Sequence, residues 1–411
     1  MEVKILNTSK NDKYIPAGIE KLTQTINKTQ NMSKSTSTDL NATEKYAGIK
    51  VVGIGGAGCN AVNRMIHTGL KGVDFISINT DPQALFLCDD TARRIPIGQN
   101  TTKGVGAGGN PEIGQKAIEE NRAEVVSALQ GSDMVFITAG MGGGTGTGAS
   151  PIVAEIAKEI GALSVAVVTK PFQFEGKMRG MIADQGIAKL KEKVDALIVI
   201  PNDNLLKVVD KKTSLIDAFK VADDVLRYGV QGITDIMTIP GLINVDFADI
   251  QTIMLNSGSA LMGIGMANGD QRAAAAAEEA IKSTLQDTSI DGAKGVLFCI
   301  TGSSSMTLAE VDEASRIISQ AVDPDAKIIF GTVIDEAYAD NIMVTVIATG
   351  FSSAEDSLAL MTGDEQQDYP QQYNAYSQQS DYGKSEDYDQ ISSIPSFSST
   401  QSIRERFLKR K

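Results

Sequence analysis

Tryptophan is absent from this 411-residue chain, and histidine occurs once, at His67. A lone histidine excludes a multi-histidine metal centre and leaves no imidazole to spare for a nucleophilic triad. On its helical stretch it reads as an exposed residue. Cysteine is scarce: Cys59, Cys88 and Cys299 are odd in number, widely spaced and set among apolar or glycine-rich neighbours. That excludes a disulfide framework or zinc site and predicts reduced, mostly buried thiols of a cytosolic protein. No apolar run approaches the ~20 residues that a membrane-spanning helix requires. Positive charge is in deficit, with 38 Lys and Arg against 51 Asp and Glu and a formal net charge of −13. Such a balance argues against a nucleic-acid-binding face, which needs clustered Lys and Arg. A Walker A sequence is missing too, because Lys103-Gly104 and Gly176-Lys177 lack its spacing; this argues against an ordinary P-loop NTPase.

What is present is enough apolar sequence, 42% of residues, for two globular domains with sizeable cores. Residues 1–46 are rich in Lys, Asn, Ser and Thr, without hydrophobic periodicity, and are expected to be disordered. They carry no apolar segment of the secretory kind. They also contain no Arg, while Glu2, Asp12, Glu20, Asp39 and Glu44 are unlike a transit peptide. A cytoplasmic extension is the expectation. At the other end, residues 351–390 turn to Gln, Ser, Asp and Tyr, a low-complexity acidic linker that cannot pack a core. Residues 391–411 recover apolar side chains (Ile394, Phe397, Ile403, Phe407, Leu408) beside Arg404, Arg406, Lys409, Arg410 and Lys411.

Between these tails the organising stretch is Asp133-Met-Val-Phe-Ile-Thr-Ala-Gly140 followed by Met141-Gly-Gly-Gly-Thr-Gly-Thr-Gly148. The first half reads as a fully buried parallel strand and the residues after Ala149 as a helix. A glycine-rich turn between strand and helix lets backbone N–H groups converge at a positive helix end, with Thr145 and Thr147 adding hydroxyls. That is an anion site, not a linker. A second turn, Gly55-Gly-Ala-Gly-Cys-Asn60, follows the strand 49–54 and opens the helix 61–67; a third spans Gly104-Val-Gly-Ala-Gly-Gly109. The strand 74–78 ends in Asn79-Thr80-Asp81, where a Rossmann protein places its ribose-binding acid, so an NAD-binding reading stays open here. Three glycine turns fit better a triphosphate wrapped by several loops.

Strands at 162–169 and 196–200 alternate with a helix at 180–192, which predicts a parallel sheet covered on both faces with nucleotide outside its carboxyl ends. The longest helical pattern covers residues 213–237, N-capped by Ser214, with Ile216, Phe219, Ala222, Leu226, Gly229 and Ile233 as its apolar stripe. Pro240-Gly241 ends it. Helices at 247–256, 272–283 and 307–321 and strands at 260–267, 295–300, 327–333 and 342–348 then form a second, smaller α/β domain with no glycine-rich phosphate turn. The domains expected are therefore 47–238, including the long central helix 213–237, and 239–350.

Gly142-Gly-Gly-Thr-Gly-Thr-Gly148, flanked by Ala139-Gly140-Met141 and Ala149, resembles the signature of the tubulin/FtsZ superfamily, and in particular of the FtsZ cell-division GTPases of bacteria. The resemblance runs from about Ile49 to Gly350. It implies a Rossmann-like parallel-sheet GTPase domain, a central helix and a second α/β domain. It also implies GTP or GDP as ligand, with Mg2+ bound mainly through the phosphates and no protein metal site. By the same resemblance the nucleotide is contacted by Gly55, Gly56, Ala57, Asn60, Ala107, Gly108, Gly142, Gly143, Gly144, Thr145, Gly146 and Thr147. Asn202, Phe219 and Asp223 match base-contacting positions, and Glu175 and Arg179 match the ribose and sugar–phosphate region. From the residues alone, Phe219 suits core packing, Asp223 a solvated face, and Glu175 and Arg179 an ion pair four residues apart.

Pro240-Gly-Leu-Ile-Asn-Val-Asp-Phe-Ala-Asp249 resembles the family's catalytic loop, which one subunit inserts into its neighbour's nucleotide site. That implies catalytic roles for Asn244, Asp246 and Asp249. By position alone Asp246 suits an N-cap and Asp249 the positive end of the following helix. The family further implies a head-to-tail homopolymer at the cytoplasmic mid-cell division site, active as a GTPase on polymerisation. Ile394-Pro-Ser-Phe397 resembles the C-terminal peptide through which FtsZ proteins bind membrane tethers and division regulators. It departs from the pattern at Ser398-Ser399, where an apolar and a basic residue usually follow, so the operative peptide is either this segment or one displaced to Ile403-Arg-Glu-Arg-Phe-Leu-Lys409. No nucleic-acid partner is expected.

Overall fold

A computed structural model describes residues 47–208, 214–239, 243, 245–282 and 289–351. The expected extension 1–46, the linker from 352 to 390, the peptide 391–411, residues 240–242 and Asn244 lie outside the described residues. Within them the strands are β1 (Ile49–Ile54), β2 (Asp74–Asn79), β3 (Arg93–Pro96), β4 (Met134–Gly140), β5 (Leu163–Lys170), β6 (Ala196–Pro201), β7 (Gly258–Ala267), β8 (Gly295–Gly302), β9 (Lys327–Ile334) and β10 (Ile342–Thr349). The helices are α1 (Gly55–His67), α2 (Pro82–Phe86), α3 (Gln99–Thr102), α4 (Pro111–Glu120), α5 (Arg122–Leu129), α6 (Thr145–Glu159), α7 (Lys177–Lys191), α8 (Asn202–Val208), α9 (Leu215–Thr238), α10 (Phe247–Met254), α11 (Arg272–Ile281) and α12 (Leu308–Gln320).

All ten strands hydrogen-bond in the order β3-β2-β1-β4-β5-β6-β7-β10-β8-β9. From β3 to β6 every pairing is parallel, and order reverses direction at β1 and β4, the place where such sheets bind ligands. Strand β7 joins β6 over three residues, Ala196↔Gly258 to Ile198↔Ala260, so both halves share one sheet. Beyond it β10 runs antiparallel to both β7 and β8, and β8 is parallel to β9.

Alternation along each strand splits the core by face. On β4, Met134 and Phe136 point to one side, where they share a cluster with Ala61 and Met65 of α1 and Ala222, Leu226 and Ile233 of α9. Val135, Ile137 and Ala139 point to the other, among Ile118, Leu129, Val153 and Ile187 of α4 to α7. A third cluster packs α11 and α12 on Val296, Phe298, Val344 and Val346. Because Leu297, Cys299 and Ile347 belong to the first cluster, α9 lies against both halves of the sheet.

Helix α9 covers 24 residues, ~36 Å at 1.5 Å per residue, and Ser214 caps it by accepting from Asp217 N at 3.1 Å. The expected stripe is buried only from Ala222 onward; Ile216 is 70% and Phe219 40% exposed. A Cβ on Gly229 would already meet Val167 in mid-strand β5 at 2.8 Å, so the first turns of α9 overhang the sheet's carboxyl edge and face a ligand space instead of the core. The three cysteines are buried and unpaired.

Candidate nucleotide-binding site

Two strand-to-helix turns meet at the switch point. After β1 the chain turns directly into α1 at Gly55 (φ +72°), where an added Cβ would lie 3.0 Å from Gly146 N. Three residues on, a Cβ at Gly58 would lie 2.4 Å from the carbonyl of Thr138 in β4, so only glycine lets the helix sit this close to the strand. After β4, Gly142 (φ +94°) donates its N–H to Thr147 Oγ1 at 2.9 Å, which folds the loop onto the helix it precedes.

Helices α1 and α6 start at these turns with no side-chain cap and no acidic residue in the first turn. By contrast Asn110, Ser214, Asp246 and Thr307 cap α4, α9, α10 and α12, each with an acid in the first turn. An uncapped N-terminus leaves backbone N–H donors for an anion. Both open onto one cavity of about 230 Å³, lined by Gly55, Gly56, Ala57, Gly143, Gly144, Thr145 and Gly146 on that side. The other wall carries Glu175, Arg179, Asn202, Phe219 and Asp223. An adjoining space of about 470 Å³ continues past Gly109, Gly142 and Gly143 to Met178 and Ile182.

Four candidate contacts stand elsewhere. Asn60 is exposed on α1, and Ala107, Gly108 and Thr147 are not part of the lining. Ala107 backs the loop: a Cβ on Gly144 would strike Ala107 Cβ at 2.7 Å. The hydroxyl of Thr147 is engaged by Gly142, so it braces the turn. Residues that the reading from sequence passed over include Met141, Thr169, Pro171, Ala222 and Leu226 in the lining, and Thr80, whose hydroxyl meets that of Thr145 at 2.7 Å. The apolar ones carry no local signal, since each reads as core. Asp81, the position a Rossmann enzyme reserves for ribose, caps α2 by accepting from Gln83 N at 2.9 Å and does not line the cavity, which removes the support for NAD.

Charge on the far wall is arranged in two pairs. Arg179 meets Glu175 at 2.9 Å, while the other Glu175 oxygen accepts from Phe172 N. The pair is not intrahelical: Gly176 (φ +102°) separates the short 3-10 turn Gln173–Glu175 from α7. On α9, burial and then the neighbouring charge of Asp224 push the Asp223 carboxyl up to about 7, against the pull of Arg64. Asp224 itself is desolvated, yet Arg64 (2.8 Å) and Arg227 (3.2 Å) hold it below the usual carboxylate range. Phe219 is edge-on to Phe172 with centroids 5.5 Å apart, leaving a ring face free to stack. Asn202 Oδ1 is buried without a hydrogen-bond partner, and a Cβ on Gly56 or Gly143 would meet nothing within 4 Å. The set combines bare N–H donors at two helix ends with a free ring face, a carboxyl and an unsatisfied amide oxygen on the facing wall.

Of the acidic loop, Ile243 bridges to Thr332 on β9, and Asp246 is exposed and accepts from Asp249 N at 2.9 Å. Asp246 is thus the N-cap of α10. Asn244 lies outside the described residues. Fifteen helical residues of α9, ~23 Å, separate Asp223 from Thr238.

Residues 48–210 match the GTPase domain of the tubulin/FtsZ family, and residues 258–352 the C-terminal domain of the FtsZ family. Among solved structures, an empty FtsZ dimer from M. jannaschii is 43% identical over 82% of this chain and 94% of that one, with a TM-score of 0.72. At 18% identity, CetZ1 from Haloferax volcanii, a GDP-bound monomer, shares the fold over 76% of this chain and 97% of its own, with a TM-score of 0.65. A GTPγS-bound protofilament of CetZ2 from the same organism does so at 20% identity, over 76% and 96%, with a TM-score of 0.60.

Proposed function

The chain belongs to the tubulin/FtsZ family of GTPases, and from that membership we propose that it hydrolyses GTP as a head-to-tail homopolymer, each subunit completing its neighbour's active site. The observation that carries this is the separation just described. The cavity with its two bare helix ends lies at one end of α9, and Asp246 and Asp249 lie beyond the other. An acidic pair that cannot reach its own cavity can act only on another subunit's.

Gly55, Gly56 and Ala57 on α1 and Gly142 to Gly146 around α6 hold the phosphates by backbone N–H groups. Arg179 and Glu175 hold the sugar, Phe219 stacks on the base, and Asp223 and Asn202 read its edge. Asp246 and Asp249 of the incoming subunit, with Asn244, orient and polarise a water for in-line attack on phosphorus. Glu175 is already engaged and Asp223 faces the base, so Mg2+ would be bound mainly through the phosphates. When bound it supplies neutralisation of their charge.

Such a contact is heterologous and builds filaments unless it closes. Met178 in the adjoining space and Phe174 beside Glu175 are exposed, the apolar material such an interface uses. The filament is placed at the division site, recruited to membrane tethers through residues 391–411; removing those residues should spare hydrolysis and abolish recruitment. Among the described residues no helix is long and apolar enough to cross a membrane.

Asp246→Ala and Asp249→Ala should each lower GTP turnover at least ~100-fold. Their effect on GTP binding by the isolated monomer should stay under about tenfold, ~1.4 kcal/mol. A larger loss of monomer affinity sinks the division of labour. Wild-type turnover per molecule should rise steeply above a threshold protein concentration; a value independent of concentration would instead mean a self-contained site.

A further inference from the structure

Helices α1 and α9 form the two walls that a nucleotide must bridge, α1 with Gly55, Gly56 and Ala57, α9 with Phe219 and Asp223. They are joined by a fork: Arg64 Nε and Nη2 donate to the two oxygens of Asp224 at 2.8 and 2.9 Å. Arg64 stands two turns beyond Ala57 on the same helical face, and Asp224 follows Asp223 directly. Neither Arg64 nor Asp224 belongs to the cavity lining.

We infer that Arg64 is a positioning residue for base selection, holding α9 against α1 and neutralising the carboxylate beside Asp223 so that Asp223 meets the base ionised. The inference rests on the GTP reading above.

The chemistry of the base edge makes protonation decisive. Guanine presents two donors there, N1–H and the 2-amino group, and rewards an acceptor-only carboxylate; a protonated acid offers a donor of its own and loses that match. Asp223 titrates near neutrality, so a single neighbouring charge decides its state at physiological pH. The charges facing it are few. On its own helix stand Asp224 and, one turn on, Arg227, which gives Asp224 a second contact at 3.2 Å. From α1 comes Arg64. Across the cavity Arg179 is held by Glu175 at 2.9 Å, a pair of no net charge. Arg64 is therefore the cation that offsets Asp224 from outside α9, and its fork geometry is one a lysine cannot reproduce.

The test is GTP and inosine triphosphate binding to the full chain, held below its assembly concentration, between pH 5.5 and 8.5. Wild-type affinity for GTP should fall on the acid side with a midpoint near 7, and Asp223→Asn should flatten that profile. Arg64→Met should move the midpoint up by about one pH unit, weaken GTP about fivefold at pH 7, and narrow its advantage over inosine triphosphate, which lacks the amino group. Arg64→Lys should restore most of the midpoint. Asp224→Asn breaks the same fork but removes the negative charge, so it should move the midpoint down. Opposite shifts from two variants that break one contact are what a mechanical brace cannot produce. Equal weakening at every pH, or shifts of the same sign, overturns the assignment while leaving the GTPase reading intact. Failure of the wild type to bind guanine nucleotide at any pH overturns both.

Discussion

The two ends of the sheet solve the same packing problem with opposite surfaces. In β1 to β6 all strands point one way, so strand carboxyl ends gather on one edge, and two of them lead into helices whose first N–H groups are left bare. In β7 to β10 direction alternates around β10; α12 is capped from within that half, while α11 starts without a side-chain cap but lies away from the cavity. Thr307 and Glu310 form a reciprocal capping box on α12. Glu310 is also held by Arg272, which donates to it at 2.7 Å and to the Asp340 carbonyl at 3.0 Å. In the first half two bare helix ends open onto the cavity; in the second the start of α12 is closed by its own residues. The difference teaches that a missing cap marks a site only where the bare helix end opens onto a cavity.

The sharpest way to break the comparison is to overfill one glycine in each half. Gly58→Ala would press a methyl onto the Thr138 carbonyl at 2.4 Å, and Gly265→Ala onto the Ala276 carbonyl at 2.0 Å. Each should destabilise the fold by about 3 kcal/mol, read from thermal or denaturant melts. Only Gly58→Ala should also abolish nucleotide binding by the molecules that remain folded, since it pries α1 from β4. Equal loss of binding in both would mean that the halves are not functionally distinct.

A smaller effect should come from Glu310→Gln. Its carboxyl is held down to about 2 by the Arg272 guanidinium and by the Thr307 N–H and hydroxyl, against the cost of burial. A depressed acid contributes stability that is present above its unfolded value and lost as pH falls toward its folded one. Stability from this group is therefore complete above ~4.5 and disappears between ~4.5 and ~2. The substitution should cost about 2 kcal/mol at neutral pH, narrow the acid limb of the melting curve and leave monomer nucleotide affinity unchanged.

Smallest and most specific is the proton on Asp223. Its carboxyl is raised, the reverse case: its contribution to stability is present below ~4 and is lost as pH rises through about 7. Guanine nucleotide binding that demands the ionised form should release a fraction of one proton at pH 6.5. Calorimetry in two buffers of different ionisation enthalpy measures it. Zero release, or uptake, would show that Asp223 does not face the base as a carboxylate.

Much of this was legible in the chain because local rules apply to it. The fully buried run 134–140 and the glycines after it announce a parallel strand and an anion-binding turn, and Ser214, Asp246 and Thr307 announce helix starts that the structure keeps. Less legible were residues 82–129: α2 and α3 are only five and four residues long, too short for any periodicity to emerge, while α4 was passed over despite the start signal of Asn110 and Pro111. Phe219 reads as core on its helix because nothing nearby in sequence tells how far α9 overhangs the sheet. Glu175 and Arg179 read as neighbours on one helix because spacing is blind to the φ of Gly176 between them.

By itself, then, the sequence determined most element types outside residues 82–129, the glycine turns, the acidic loop and the family, since each shows in residues close together along the chain. Tertiary structure alone decided which of these meet. It set α1 and α6 side by side at the reversal of strand order, brought Phe219 and Asp223 over their N-termini, and sent Asp246 past the far end of α9. It also set the surroundings that decide the charge of Asp223: its burial first, then the neighbouring Asp224, then Arg64, which reaches Asp224 across 160 residues of chain. Protonation answers to distance in space, and only the folded sheet sets that distance.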